Sequence, residues 1–284
     1  MKRNIIVKKI GKKIDIYYPC KHSENYLHYE FLRVDNDSIN MHQWRTYYLS
    51  VANKNLERLY TFDEIEWEGA IREVDAKDFL GGYHGDENNT GISIFANAKL
   101  YPVDEDFEFE TDCLRISVTS ILNRCDTPGD DVFNRIKILE WSDKGYCISN
   151  RYELLQDFKI HRFENMMMGF GLFYNGERFI THAATNTHPI PQYISDDADE
   201  ALKSPLFHPD HDATWFEFYA PEKNFYAKVE GFFDKDKYPN GYRRFDDYRI
   251  IHHKVTKAYF NMTGRYDGKK GEVFESKAIY TIEA

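Results

Sequence analysis

Apolar and polar residues alternate with a period of two along much of this chain. The alternation runs through 13–18 (KIDIYY), 26–34 (YLHYEFLRV), 44–51 (WRTYYLSV), 91–95 (GISIF) and 107–118 (FEFETDCLRISV), and resumes at 135–141, 145–150, 168–174, 214–219 and 224–230. Successive side chains of an extended chain point to opposite faces, so these segments predict half-buried strands. Turn formers separate them, including Pro128-Gly129 and Asn240-Gly241. Many short strands joined by turns predict an all-β fold, an antiparallel β-sandwich or jelly roll with few short helices.

Two stretches depart from that pattern. Residues 62–72 fit two or three helical turns or a twisted strand, and 195–203 fit a short surface helix. The latter lies in a long polar insertion at about 183–213 that carries Pro189, Pro191, Pro205 and Pro209. Loops of that length are often functional. Segments 254–263 and 271–281 read as a closing hairpin. No repeat or linker interrupts the chain, so 1–284 reads as a single β-sandwich domain.

Composition supports strands: 16% of the residues are aromatic, with 21 Tyr and 21 Phe. The 47 acidic residues against 37 basic give a net charge of -10, and no broad basic field is present to attract nucleic acid. The four cysteines, at 20, 113, 125 and 147, have no metal-knuckle spacing and read as free thiols. Only a short apolar run at 5–7 precedes renewed charge, so neither an export signal nor a membrane span is expected. A cytoplasmic product is the expectation, with a virion-associated or extracellular protein kept open.

Chemistry concentrates in 78–91, DFLGGYHGDENNTG, where four glycines surround one imidazole and three carboxylates. Such a glycine cluster marks positive φ angles or close approach of backbone to something else. His84 and Glu87 can act as base, acid or metal ligands. The string GGYHGDE at 81–87 resembles the GGxHGxE motif of the aspartoacylase and succinylglutamate desuccinylase family of zinc amidohydrolases, and Asn123-Arg124 resembles that family's substrate clamp. This resemblance implies zinc held by His84, Glu87 and His161, with Glu217 as general base.

A second resemblance covers more of the chain. Residues 67–87, WEGAIREVDAKDFLGGYHGDE, are similar to a block in poorly characterised phage and bacterial β-sandwich proteins of polysaccharide-lyase-like character, with the similarity running from about Trp44 to Tyr280. It implies action on an anionic glycan by β-elimination, without a cofactor. That chemistry needs a group to neutralise a carboxylate, a base and a proton donor. His84 fits the base, Glu87 its orienting partner, and Tyr83 or Tyr174 the proton donor. Asn123, Arg124 and His161, with Trp44 and Arg45, fit substrate binding. The partner is then a polysaccharide or oligosaccharide, not nucleic acid or membrane. Each residue also has a plain structural reading: Arg124 as a salt-bridged arginine, His161 as a satisfied strand imidazole, Trp44 as core. A noncatalytic glycan-binding or phage structural module is the alternative from a different class.

Overall fold

The computed structural model describes residues 3–62, 67, 69–174, 177–195, 197–245 and 255–284. The chain opens with β1 (Ile5–Ile10), β2 (Lys13–Pro19), β3 (Tyr26–Asn36), β4 (Met41–Ala52) and β5 (Arg58–Phe62). After β6 (Ala70–Glu73) come β7 (Glu87–Ala96), β8 (Lys99–Tyr101), β9 (Phe107–Thr111), β10 (Leu114–Arg124), β11 (Thr127–Ser142) and β12 (Gly145–Leu154). The long β13 (Phe158–Gly171) leads through β14 (Phe173–Tyr174) and β15 (Glu177–Arg178) to β16 (His182–Thr185) and β17 (Gln192–Tyr193). A single helical turn, α1 (Ala198–Ala201), precedes β18 (Trp215–Ala220), β19 (Phe225–Phe232), β20 (Tyr242–Phe245), β21 (Val255–Asn261), β22 (Tyr266–Gly268) and β23 (Val273–Glu283).

The fold is an all-β, antiparallel-rich sandwich. One hydrogen-bonded path runs β17-β16-β18-β19-β23-β12-β11-β10-β7-β4-β3-β2-β1-β9, and a smaller sheet runs β20-β21-β13-β22 with β6 on β13. β4 and β7 meet in parallel through only two residue pairs, Met41 with Glu87 and His42 with Asn88. At that junction the path turns back on itself. The Tyr29 ring of β3 lies 5.6 Å from Trp141 of β11 and 5.0 Å from Tyr146 of β12, whereas four strand spacings in a flat sheet would separate β3 from β11 by about 19 Å. The N-terminal strands therefore fold over the large sheet and bury Tyr29, Trp141, Tyr146 and Trp67 between the layers.

The small sheet helps cover the same inner face. Its central strand β13 is buried on both sides over Met166, Met167 and Met168, so the methionine run belongs to the core. A second cluster forms around Leu122, Phe133, Tyr152, Phe163 and Phe274. The other face of the large sheet is more open: in β12, Tyr146, Ile148, Asn150, Tyr152 and Leu154 point inward, while Cys147, Ser149, Arg151 and Glu153 on the opposite phase are half-buried.

One expectation is revised and two are sharpened. Residues 254–263 and 271–281 do not close a hairpin, because β21 pairs with β13 and β20 while β23 pairs with β12 and β19; β22 between them pairs with β13 and holds the connection on the small sheet. The 183–213 insertion is largely irregular, carries α1 inside the expected 195–203 helix, and is tied to the large sheet through β16, which pairs with β17 and β18. The stretch 62–72, whose sequence fits helical turns or a twisted strand, has strand at each described end, Phe62 in β5 and 70–72 in β6; 63–66 and 68 lie outside the described residues. All four cysteines are free, and no helix among the described residues is long and apolar enough to cross a membrane.

Candidate functional site

The glycine segment forms a tight turn immediately before β7. Gly81 (φ 80°, ψ 167°) and Gly85 (φ 93°, ψ -155°) flank the 3-10 turn Gly82–His84, both in a backbone region essentially restricted to glycine. Gly81 N donates to Gly85 O at 2.7 Å and His84 N to Gly81 O at 3.2 Å. A Cβ on Gly85 would stand 2.0 Å from the Ile39 carbonyl oxygen. Here the sequence requires glycine because the neighbouring chain leaves no space for a side chain.

The end of the motif turns inward. Glu87 and Arg135 are both 0% exposed at their side chains, and Arg135 Nη1 donates to the two carboxylate oxygens at 3.1 and 3.0 Å. Ser120 Oγ donates to Glu87 Oε1 at 2.7 Å, and Arg135 Nε and Nη2 reach Asn150 Oδ1 at 3.1 and 2.9 Å. In β11, Phe133, Leu139 and Trp141 set the inward phase, and Arg135 and Lys137 share it. That placement brings cations into the interior. Sequence reasoning gave Glu87 the task of orienting His84; in the structure Asp78 Oδ1 lies 2.9 Å from His84 Nδ1 and takes that place.

Tyr83 and His84 form the outer side of the turn. Tyr83 lies over the Arg45 guanidinium, 3.4 Å from the ring centroid, and its hydroxyl donates to Tyr47 O at 3.4 Å. Arg45 is 1% exposed, and its Nε and Nη2 meet no hydrogen-bond acceptor among the described residues. Nearby, Gln43 uses Nε2 on Gly82 O at 2.8 Å, while its Oε1 has no partner among them. A buried guanidinium with two unmet donors is costly unless an anion joins it.

A cationic rim adjoins His84. Its ring packs 5.0 Å from Phe79, over which the Arg72 and Arg162 guanidinium groups lie at 5.8 and 5.7 Å. Arg162 also pairs with Glu164, 2.5 Å from Nη2. Burial, then the positive charges of Arg265, Arg72 and Arg162, hold the neighbouring His161 below its ordinary pKa. Tyr83, His84 and Arg45 thus meet at one turn, and Arg72 and Arg162, which adjoin it through Phe79, also act on His161.

Other expected site residues have different surroundings. Asn123 is 4% exposed and accepts from Asn40 at 2.9 Å while donating to Asp131 at 2.6 Å, a network that secures the β10 end. Arg124 is engaged by Glu73 and by Asp130 at 2.7 Å, which matches the salt-bridged reading more closely than a substrate clamp. Trp44 stacks on Phe31 at 5.8 Å and is buried. Tyr174 lines a separate cavity of about 310 Å³ with Tyr60, Arg178 and Phe179, its hydroxyl donating to Leu59 O at 3.3 Å. It is not beside Tyr83 in that cavity lining.

The zinc alternative fares poorly. His84, Glu87 and His161 do not converge into a ligand set; the groups with metal-binding reach among the described residues are Asp15–His28–Glu30 and Asp86–Cys125–Asp126. In the first, Lys13 Nζ already bridges Asp15 and Glu30 at 2.9 and 3.2 Å. In the second, Asp86 already accepts from Asp126 N at 3.0 Å and from Asn40 at 3.2 Å, and burial raises the Cys125 thiol. Neither group includes His84, Glu87 or His161, the residues the zinc resemblance implies.

Sequence reasoning gave no role to Arg135, Asp78 or Arg72. For Arg135 a signal existed, a charge on the apolar phase of a strand; the others depend on how the turn packs.

No family model and no curated protein matches the chain. Among solved structures, the galactosidase domain of an alpha-galactosidase-sucrose kinase aligns over 97% of this chain at 10% identity and TM-score 0.41, the chain spanning 40% of that protein's length. A galactose mutarotase-like protein from Clostridium acetobutylicum aligns over 100% of this chain and 99% of its own, at 10% identity and TM-score 0.41. One from Lactobacillus casei aligns over 98% and 100%, at 10% identity and TM-score 0.37. At these scores the likenesses carry no functional assignment.

Proposed function

We propose that this protein cleaves an anionic glycan by β-elimination at the turn formed by Gly81, Tyr83 and His84. The observation that carries this reading is Arg45: buried, covered by Tyr83, with two guanidinium donors unmet among the described residues. A planar cation of this kind suits the carboxylate of a uronic acid residue. Because Tyr83 covers Arg45, this reading requires the Tyr83 ring to move off the guanidinium before the carboxylate enters.

The remaining groups supply the proton transfers. With Asp78 accepting from Nδ1, His84 presents Nε2 as its basic atom. His84 takes the proton from the carbon beside the carboxylate, Arg45 stabilises the enolate, and the new carbon–carbon double bond forms as the bond to the leaving glycosidic oxygen breaks. Tyr83 protonates that oxygen and regains its proton from the imidazolium. Arg72 and Arg162 add positive potential along the approach.

Ultraviolet absorbance of an unsaturated uronate, followed with polygalacturonate, alginate and hyaluronan, tests the proposal. His84→Ala is expected to lower kcat by about 10²–10⁴-fold with the fold retained, and Tyr83→Phe to lower it as well. Full activity in His84→Ala overturns the assignment. A noncatalytic glycan-binding reading is favoured by the Tyr83 hydroxyl already engaging Tyr47 O; it is distinguished by saturable binding of the same polymers without new absorbance.

A further inference from the structure

The open face of the large sheet carries a second constellation. In β18, Phe216 and Phe218 are buried in the core, so Trp215, Glu217 and Tyr219 project to the other side. Antiparallel register with β19 sets Glu217 opposite Lys228 and Tyr219 opposite Tyr226. Both tyrosines point their hydroxyls at the carboxylate: Tyr226 donates to Glu217 Oε1 at 2.8 Å and Tyr219 donates to Oε2. Burial and the adjacent Glu217 push both phenols above their ordinary pKa, which keeps the donating protons in place. Lys228 Nζ stays loosely associated, 4.0 Å from Oε1 and 4.8 Å from the Trp215 ring centroid.

These groups are self-consistent without being closed off. Glu217 is held by neutral donors and a distant ammonium instead of a tight ion pair, so its remaining lone pairs are suited to further O–H donors. The phenol oxygens, having spent their protons on Glu217, act as acceptors. Trp215 is half-buried at one side, and across the neighbouring strand His182 meets Tyr193 at 5.7 Å, with Tyr193 59% exposed. A carboxylate that accepts two adjacent hydroxyls beside an aromatic surface is suited to a vicinal diol. Glu217 and Glu230, which lies opposite Trp215, disfavour an anion.

We propose that the face around Glu217, Trp215, Tyr219, Tyr226 and Lys228 binds an uncharged saccharide, with Glu217 accepting from adjacent sugar hydroxyls and Trp215 packing on the apolar side of the ring. This site differs in ligand charge from the one at His84 and does not depend on chemistry there. It would hold a neutral part of a glycan, or a neutral glycan altogether.

Tryptophan fluorescence gives a direct test. Trp44, Trp67 and Trp141 are buried, leaving Trp215 as the half-exposed member of the four tryptophans in the chain. Titration with maltohexaose, cellohexaose, xylohexaose and mannohexaose is expected to change the emission saturably with one or more of them, while trigalacturonate leaves it unchanged. Affinity electrophoresis on the responding sugar should show about a tenfold or larger loss for Glu217→Gln, as expected for losing a charged hydrogen-bond acceptor, with a smaller loss for Tyr226→Phe. Tyr226→Phe keeps the test decisive if Glu217→Gln fails to fold. The proposal is overturned if none of the four neutral sugars binds, if trigalacturonate alone produces the change, or if folded variants bind as tightly as the unaltered protein.

Discussion

The turn at His84 and the open face at Glu217 use similar residue types in opposite settings. At the turn, a fully buried glutamate is locked to a fully buried arginine, and the strand that follows begins from that pair. On the open face, a glutamate that is 14% exposed is held by two phenols and a lysine 4.0 Å away. A carboxylate inside the sandwich therefore supports the fold, whereas one on its surface can exchange partners at low cost. Chemistry proposed for the first site has to come from groups that the Glu87–Arg135 pair positions, and not from Glu87 itself.

Removing the buried pair is the strongest way to break this contrast. Glu87→Ala removes the carboxylate that two Arg135 hydrogen bonds meet in the interior and is expected to cost about 3–5 kcal/mol, seen as a lower midpoint in urea denaturation. Glu217→Gln keeps the shape of a surface carboxylate and is expected to cost less than about 1 kcal/mol. Equal losses for the two variants would erase the distinction between the sites.

The turn itself supplies the next effect. Gly85→Ala forces a side chain into a glycine-only conformation and against Ile39 O, with about 1–3 kcal/mol from backbone strain before the clash is counted. Thermal unfolding measures the loss, and glycan turnover should fall with it because Tyr83 and His84 ride on this turn. Stability equal to that of the unaltered protein would mean that the turn does not hold this geometry.

Arg45 separates stability from function. Arg45→Met removes a buried charge with unmet donors and retains much of its packing volume, so stability is expected to stay level or rise. Turnover of an anionic glycan should be lost at the same time. A large drop in stability would show that Arg45 is satisfied in the folded protein and would remove the main support for a carboxylate site.

The sequence made some of this comparison legible and hid the rest for definite reasons. Alternation in 145–150 and 214–219 identifies β12 and β18, and the phase of Phe216 and Phe218 already places Glu217 and Tyr219 together. The glycines identify the turn at His84 because its backbone conformations exclude other residues. Tyr226 and Lys228 join Glu217 only through inter-strand register, which residue patterning along one strand does not specify. The fold-back at β4 and β7 rests on two residue pairs and leaves no periodic trace. The motif spacing suggested that Glu87 served His84, yet the alternation of β7 against β10 turns Glu87 inward beside Ser120 and Leu122.

His161 offers the smallest and most local test, because its surroundings lie on the cationic side of the comparison. Burial and the charges of Arg265, Arg72 and Arg162 lower its pKa from 6.5, with Asp75 opposing them. A histidine whose folded pKa lies below its unfolded value adds no penalty above that unfolded value. As pH falls through 6.5 toward the lower folded value, the unfolded chain takes up the proton first, and stability is lost over that window. Following the His161 ring protons by nuclear magnetic resonance should give a midpoint below 6.5, and Arg265→Gln should move it upward but not fully restore it, since burial and the other two arginines remain. An unmoved midpoint would remove Arg265 from the field that keeps this imidazole neutral. A shift of the expected sign would tie the arginines that lie over Phe79 to the ionisation of His161, a positive field lowering a pKa, where the face around Glu217 shows a negative one raising the pKa of two phenols.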